Sequence, residues 1–214
     1  MASDDTDVLE PSWRRAWRAL GAAGDGAEVR DALLAAYRDP GRSYHTVQHL
    51  RECIARFETC RDLATRAAEV EAALWFHDAV HDVRRGDNER RSADWARAAL
   101  AAGGAPPRAT ARVDALVMAT AHLTAAAPAG GDAALVVDID LAILGADAAR
   151  FAEYERQIRR EYAHVPDAEF RARRSAVLVA FLARDPIYRT PRLRDALEAR
   201  ARANLALAIA GDVA

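Results

Sequence analysis

The chain has 214 residues, of which 51% are hydrophobic and 29% charged; this composition is typical of one globular domain and excludes a disordered chain. The formal net charge of −2 gives no general electrostatic reason to bind a nucleic acid polymer or an anionic membrane. The acidic N-terminus resembles no secretory signal, and no apolar run approaches transmembrane length. With only two cysteines, the chain is expected to be cytoplasmic.

Helical periodicity runs through nearly the whole chain, with turn residues such as Pro40-Gly41 between the periodic stretches. We expect the first helix to be capped by Ser12, after a flexible N-terminus over residues 1–11. The further predicted helices cover about 27–38, 46–59, 67–80, 88–102, 108–123, 147–163, 167–184 and 193–210.

The stretch ALVVDIDLAILG, residues 134–145, is ambiguous because its β-branched residues also suit a strand. A single strand has no partner for its backbone, so we interpret this stretch as a short buried helix that Gly145 ends. The preceding AAAPAGGD is predicted to be an exposed loop. The expected fold is an all-α, single-domain helical bundle spanning 1–214.

The histidines are concentrated in two short stretches. His45 and His49 are four residues apart in YHTVQHL, and His77 and His81 are four apart in WFHDAVHD. Residues at this spacing share one face of a helix, so each pair is predicted to point towards a common position.

The second stretch also places an acid directly after each histidine, as His77-Asp78 and His81-Asp82. Neighbouring helical side chains diverge by about 100°, so His77 and Asp78 can share an ion only at the helix edge. Asp138 and Asp140 lie in apolar surroundings where a carboxylate needs a cation or hydrogen-bond donors. Two imidazoles and two carboxylates would form a mixed nitrogen and oxygen site that suits Mn, Fe, Mg or Zn.

This order of residues resembles the HD-domain superfamily of metal-dependent phosphohydrolases. The finer pattern is similar to a bacterial subgroup of predicted HD-superfamily hydrolases, and the similarity spans about residues 13–205. The blocks that carry it are YHTVQHL, WFHDAVHD, DNERRSA, ATAHL, DIDLAILG, YERQIRREYAHVP and IYRTP.

The resemblance implies a helical HD-type domain, a divalent metal ion and metal-assisted hydrolysis of a small phosphate ester, such as a nucleotide. It assigns roles to residues as follows: metal ligands His49, His77, Asp78 and Asp140; candidate second-metal ligands His81 and His122; catalytic Asp78, Asp82 and Glu89; substrate contacts His45, Arg84 and Arg85, with Arg90 and Arg91 as further phosphate clamps.

Other interpretations of these residues stay open at the level of sequence. His77-Asp78 could be a buried ion pair, and His45 could make a structural hydrogen bond. Asp82 could cap a helix end or bind an arginine, and Asp138 could cap the helix that presents Asp140. Trp13, Trp17, Trp75, Tyr154 and Tyr162 are predicted to pack between helices.

The alternative function is a metal- or nucleotide-binding regulatory HD protein with little turnover. A hydrolase or lyase that acts on a non-phosphate bond is a third hypothesis, because a fold does not fix a substrate. The expected partner is a small phosphate ester, and a homodimer is compatible with the sequence.

Overall fold

The protein is organised around one helix that is buried on all sides. In the computed structural model, which describes residues 8–122 and 128–211, this is helix α4 (Ala67–Phe76). Every residue from Glu69 to Phe76 is buried, as expected for a helix that lies in the centre of a domain. Neighbouring helices surround it, and its C-terminal end supplies residues of the candidate site.

Ten α-helices occur in the described ranges. Besides α4 they are α1 (Leu9–Ala19), α2 (Ala27–Tyr37), α3 (Val47–Glu58), α5 (Asn88–Ala102), α6 (Pro107–Met118), α7 (Gly131–Asp140), α8 (Ala148–Glu161), α9 (Asp167–Leu182) and α10 (Pro191–Ala210). Short 3₁₀ turns cover Arg61–Leu63 and Leu141–Gly145. Helix α4 contacts α1, α3, α5, α6 and α7, while α10 packs on α9 and the second 3₁₀ turn.

The all-α prediction is confirmed, because no residue of the two described ranges is in a strand. One continuous apolar core runs from Leu9 in α1 to Leu205 in α10, so the helices form a single domain. None of the described helices is long and apolar enough to cross a membrane.

The start of the first helix differs from the prediction. Helix α1 begins at Leu9, and Ser12 lies inside it, fully buried, where its hydroxyl accepts a hydrogen bond from the Trp75 indole at 3.1 Å. Ser12 therefore ties α1 to α4 and does not cap it. Of the expected flexible segment 1–11, residues 9–11 are helical and 1–7 lie outside the described residues.

An indole cluster explains why α1 docks on α4. Trp13 stacks on Trp17 with ring centroids 5.2 Å apart and meets Trp75 edge-on at 5.1 Å. Gly26 adopts φ 63, and a Cβ there would lie 2.6 Å from the Trp17 ring, so only glycine fits both the conformation and the contact. The predicted packing role of these three tryptophans is confirmed.

Two helices end at least four residues earlier than predicted, and both ends lie at the candidate site. Helix α4 stops at Phe76, four residues short of the predicted end, and α6 stops at Met118, five residues short of its predicted end at 123. His77 and His81 are consequently not on one helix face. His45 also lies outside a helix, because Thr46 caps α3 and its hydroxyl accepts the Gln48 N–H.

The ambiguous stretch is helical, as predicted, and continues into the 3₁₀ turn that ends at Gly145. A Cβ on Gly145 would lie 2.7 Å from the Leu197 Cβ, so glycine allows the turn to pack closely on α10. Asp138 does not cap its own helix; its Oδ2 accepts the backbone N–H of Thr190, the residue that precedes α10. The loop predicted at 125–132 falls partly outside the described residues, and its last residues begin α7.

Candidate metal centre

The C-terminal end of α4 is held by two side chains from other parts of the chain, Tyr37 and Arg42. The Tyr37 hydroxyl donates to the Trp75 carbonyl and accepts the Asp78 N–H, both at 3.3 Å. Arg42 donates to the carbonyls of Asp78 and Ala79 at 2.7 and 2.9 Å. These bonds satisfy backbone groups that the helix end leaves free, and they turn the chain sharply after Phe76.

This turn directs His77 and Asp78 into one buried cluster. The His77 Nε2 lies 3.1 Å from Asp78 Oδ2 and 3.0 Å from the His49 Nε2 of α3. Asp140, the last residue of α7, places Oδ1 3.1 Å from the His49 Nε2 and 3.4 Å from the His77 Nε2. Residues from α3, from α7 and from the turn after α4 thus direct nitrogen and oxygen atoms at one point. We call His49, His77, Asp78 and Asp140 the central cluster.

Neighbouring groups orient the members of the central cluster. The His77 Nδ1 lies 2.8 Å from the Leu74 carbonyl, so Nδ1 carries the proton and Nε2 presents its lone pair to the cluster. The His122 Nε2 bonds Asp140 Oδ2 at 2.7 Å, which leaves Asp140 Oδ1 directed at the two imidazoles. Such outer partners are typical of metal sites.

The separations in the central cluster fit a single coordinated ion. Ligands about 2.0–2.2 Å from a common ion are separated by roughly 2.8–3.1 Å along the edges of an octahedron and roughly 3.3–3.6 Å along those of a tetrahedron. In the central cluster each imidazole Nε2 lies 3.0–3.4 Å from the other and from one oxygen of each carboxylate. The central cluster could therefore hold a divalent ion, which the mixed imidazole and carboxylate set suits.

The electrostatics of the cluster also favour a cation. Burial alone would raise the pKa of Asp78 and of Asp140, but His77 and the hydrogen-bonded imidazoles hold both well below the ordinary range. Burial alone would lower the pKa of His77, but the neighbouring Asp78 and Asp140 carboxylates raise it well above the ordinary range. The C-terminal ends of α4 and α7 add partial negative charge at the same place.

Cys53 is a neighbour of the cluster that the sequence analysis missed. Its buried thiol lies 3.7 Å from the His49 Nε2, and it groups with His49, His77 and Asp140 as a potential ligand. The signal was present, because Cys53 follows His49 by four residues on the same face of α3. Both cysteines are free, as the sequence indicated.

A second group of potential ligands adjoins the first. His45, Asp78 and His81 bring ligand atoms within 4.8 Å of one another. The rings of His45 and His81 stack with centroids 3.8 Å apart. Asp78 belongs to both groups, whereas His122 bonds Asp140 and no other member of either group. The two candidate second-metal histidines, His81 and His122, therefore lie on different sides of the site.

Glu161, at the end of α8, organises this second group and was also missed. Its Oε1 accepts the backbone N–H groups of Ser43, Tyr44 and His45 at 2.8, 2.8 and 3.0 Å. Its Oε2 lies 2.7 Å from His45 Nδ1 and 3.4 Å from His81 Nε2. Nothing in local periodicity links residue 161 to residue 45, so only the folded chain reveals this contact.

The other residues implied by the resemblance lie around the loop after α4. Asp82 is exposed, and its Oδ1 accepts the Arg84 N–H at 2.9 Å while Asn88 bonds its backbone. Arg84 is exposed, Arg85 forms a two-pronged pair with Asp87, and Glu89 is in the first turn of α5. Arg90 pairs with Asp94 and Asp114. Asp82 therefore shapes the loop, while the assigned roles of Glu89 and of Arg84, Arg85 and Arg91 stay predictions.

A cavity of about 420 Å³ opens beside the central cluster, within the size range of small-molecule sites. His49 and Asp140 form one end of its wall. Cys53, two further acids, apolar residues in and beside the 3₁₀ turn and three arginines also line it; the arginines are Arg56, Arg150 and Arg200.

Comparisons of the chain with protein-family models, with curated proteins and with solved structures give no match.

Proposed function

We propose that the protein is a metal-dependent phosphohydrolase of the HD-domain type, acting on a small phosphate ester. The observation that carries this proposal is the convergence of His49, His77, Asp78 and Asp140, in which each imidazole Nε2 lies 3.0–3.4 Å from the other and from one oxygen of each carboxylate. These are the four residues that the resemblance designates as metal ligands, and they come from three separate parts of the sequence.

When bound, a divalent ion supplies Lewis acidity that lowers the pKa of a water molecule and polarises a phosphoryl oxygen. The chain's own residues fix the geometry for this chemistry. The Leu74 carbonyl sets the tautomer of His77, and His122 holds the Asp140 carboxylate. Asp78 reaches both ligand groups, so its carboxylate is placed to orient a water molecule or to bridge two cations.

His45 and His81 lie on the outer side of Asp78, where Glu161 fixes their rings. We assign them to the substrate side, as proton donors to a leaving oxygen or as ligands of a second ion. Their stacked rings are partly exposed, with 19% and 11% of their side chains accessible, which gives a substrate access to them.

The test combines elemental analysis with an assay against a panel of phosphate esters. Wild-type protein should contain at least one divalent ion per chain and release phosphate from a member of the panel. Asp78→Ala should lose the ion and the activity while circular dichroism stays helical. Asp31→Ala, an exposed acid on α2 that pairs with Arg30, is the matched control and should retain both.

The regulatory alternative predicts a different result. A binding protein would hold the ion and would be stabilised by a ligand without releasing product. Protein without bound metal, or equal metal in wild type and Asp78→Ala, would overturn the phosphohydrolase proposal.

A further inference from the structure

The cavity beside the central cluster has an excess of positive charge at the side away from the ligands. Three arginines and two acids line it in addition to Asp140. The two acids are already engaged: Glu52 holds Arg150 through two bonds of 2.7 and 2.9 Å, and Asp147 accepts the Arg150 N–H as the cap of α8. Glu52 therefore neutralises Arg150, and Arg56 and Arg200 together exceed the remaining charge of Asp147 by one positive charge.

These two arginines retain donors for a ligand. The Arg56 side chain makes no hydrogen bond or ion pair with the part of the chain that the structure describes. Arg200 donates only through Nε, to the Gly145 carbonyl at 2.9 Å, which orients its guanidinium against the cavity wall. Within the described ranges its two Nη groups have no recorded partner, so they can form charge-assisted bonds to an anion.

The remaining wall is apolar. Ala142 and Ile143 line the cavity and lie in the chain between Asp140 and Gly145, whose carbonyl holds Arg200. On α3, Arg56 lies about two turns beyond His49, so both arginines are displaced from the central cluster. A ligand in this cavity would therefore meet a metal-binding end, a short apolar middle and a cationic end. This order of surfaces matches a small molecule with an anionic group at each end of a short body.

We propose that this cavity binds phosphate esters that carry a second anionic group, with Arg56 and Arg200 holding that group while the phosphate faces the central cluster. The inference rests on the proposed phosphohydrolase function and narrows its substrate class. A carboxylate and a second phosphate share the recognising chemistry, because a guanidinium binds the planar or tetrahedral oxygens of either through paired N–H groups.

Binding is tested with analogues that cannot be hydrolysed, so that turnover does not enter. Manganese-loaded wild-type protein is titrated by calorimetry with alkylphosphonates, with ω-phosphonoalkanoates and with alkane bisphosphonates, each of three to six carbons. We expect the analogues with two anionic groups to bind about tenfold to a hundredfold more tightly than the alkylphosphonate of equal length, because the latter lacks the charged hydrogen bonds of the second group. The carboxylate and bisphosphonate arms show which second anion is preferred.

Variants locate the effect. Arg56→Ala and Arg200→Ala should each reduce the preference at least severalfold, with little change in alkylphosphonate affinity. Arg56→Gln covers the case in which Arg56→Ala fails to fold. Arg14→Ala removes an arginine of α1 that is 64% exposed and pairs with Glu10, and it should leave the preference unchanged.

The outcomes separate this inference from the function on which it rests. Equal affinity of wild type for the paired analogues, no binding of either, or a preference retained in both arginine variants would overturn the inference. In a parallel assay, 3-phosphoglycerate is compared with glycerol 3-phosphate, and a higher kcat/KM for the first supports both proposals. If calorimetry shows tighter binding of the analogues with two anionic groups but no ester is hydrolysed, the assignment of the cavity stands and the proposed phosphohydrolase function is overturned.

Discussion

The stretch WFHDAVHD contains two identical dipeptides with different environments. His77-Asp78 lies immediately after α4, where His77 is fully buried and both side chains join the central cluster. His81-Asp82 lies in the following loop, where His81 stacks on His45 and Asp82 is exposed and shapes a turn. The difference arises because α4 ends at Phe76, before both dipeptides, so that the expected common helix face is lost. A His-Asp dipeptide therefore does not by itself define a pair of metal ligands. Its position relative to the end of the helix decides whether both side chains reach the cluster.

The largest expected effect contrasts the two histidines. His77→Ala should abolish stoichiometric metal binding, with an affinity loss beyond the roughly 100-fold that removal of an outer partner causes. His81→Ala should keep one ion per chain, because His81 is not in the central cluster. Metal content after dialysis, measured by elemental analysis, checks this difference. Equal loss in both variants would show that the two dipeptides act as one site.

A smaller effect is expected for the residue that orients Asp140. His122→Ala removes the 2.7 Å bond to Asp140 Oδ2 and should weaken metal binding about 10–100-fold without preventing it. The comparison with His77→Ala distinguishes an orienting partner from a ligand. Competition with a chromophoric chelator measures the two dissociation constants, and identical losses would contradict the assignment of His122.

A substitution at Glu161 tests how the group formed by His45, Asp78 and His81 is held in place. Glu161→Gln should lower the free energy of unfolding by about 1–3 kcal/mol, because a buried carboxylate that accepts three backbone N–H groups loses its charge. Urea titration at pH 7 measures the change. Glu155→Gln, another partly buried acid of α8 that pairs with Arg174, is the comparison variant.

The same carboxylate gives a pH dependence. Burial alone would raise the pKa of Glu161, but His45 and His81 lower it far below its ordinary value of 4.5. Its contribution to stability is therefore fully present above about pH 4.5 and is lost as the pH falls towards the folded-state pKa. The stability difference between wild type and Glu161→Gln should shrink from pH 5 to pH 3. A constant difference over this range would contradict the assigned charge interaction.

The smallest expected effect is at Asp82. Asp82→Ala should change stability by less than about 1 kcal/mol, since it removes one exposed bond to the Arg84 N–H. Metal content should equal that of wild type. A loss of hydrolysis with metal retained would instead support the catalytic role that the resemblance gives Asp82, and would make the second dipeptide functional.

Much of the fold was predictable because most helices carry strong local signals. The apolar spacing in α2, α3 and α10 placed these helices within two residues of their observed bounds. The strand-like stretch was correctly interpreted as helical, since it had no partner strand. The errors fall at ends: Ser12 looks like a cap but bonds Trp75 across the core, and α4 stops at Phe76 because Tyr37 and Arg42 bind the carbonyls and N–H groups beyond it.

The sequence by itself determined an all-α fold, because residue types and helical periodicity are local properties, and its resemblance to the HD-domain superfamily designated the four residues of the central cluster. Only the tertiary structure decided that Glu161 holds His45 and that Arg56 and Arg200 face one cavity. These residues come from parts of the chain that are distant in sequence. Their convergence depends on how helices pack and where each one ends, and tertiary hydrogen bonds and core packing set both.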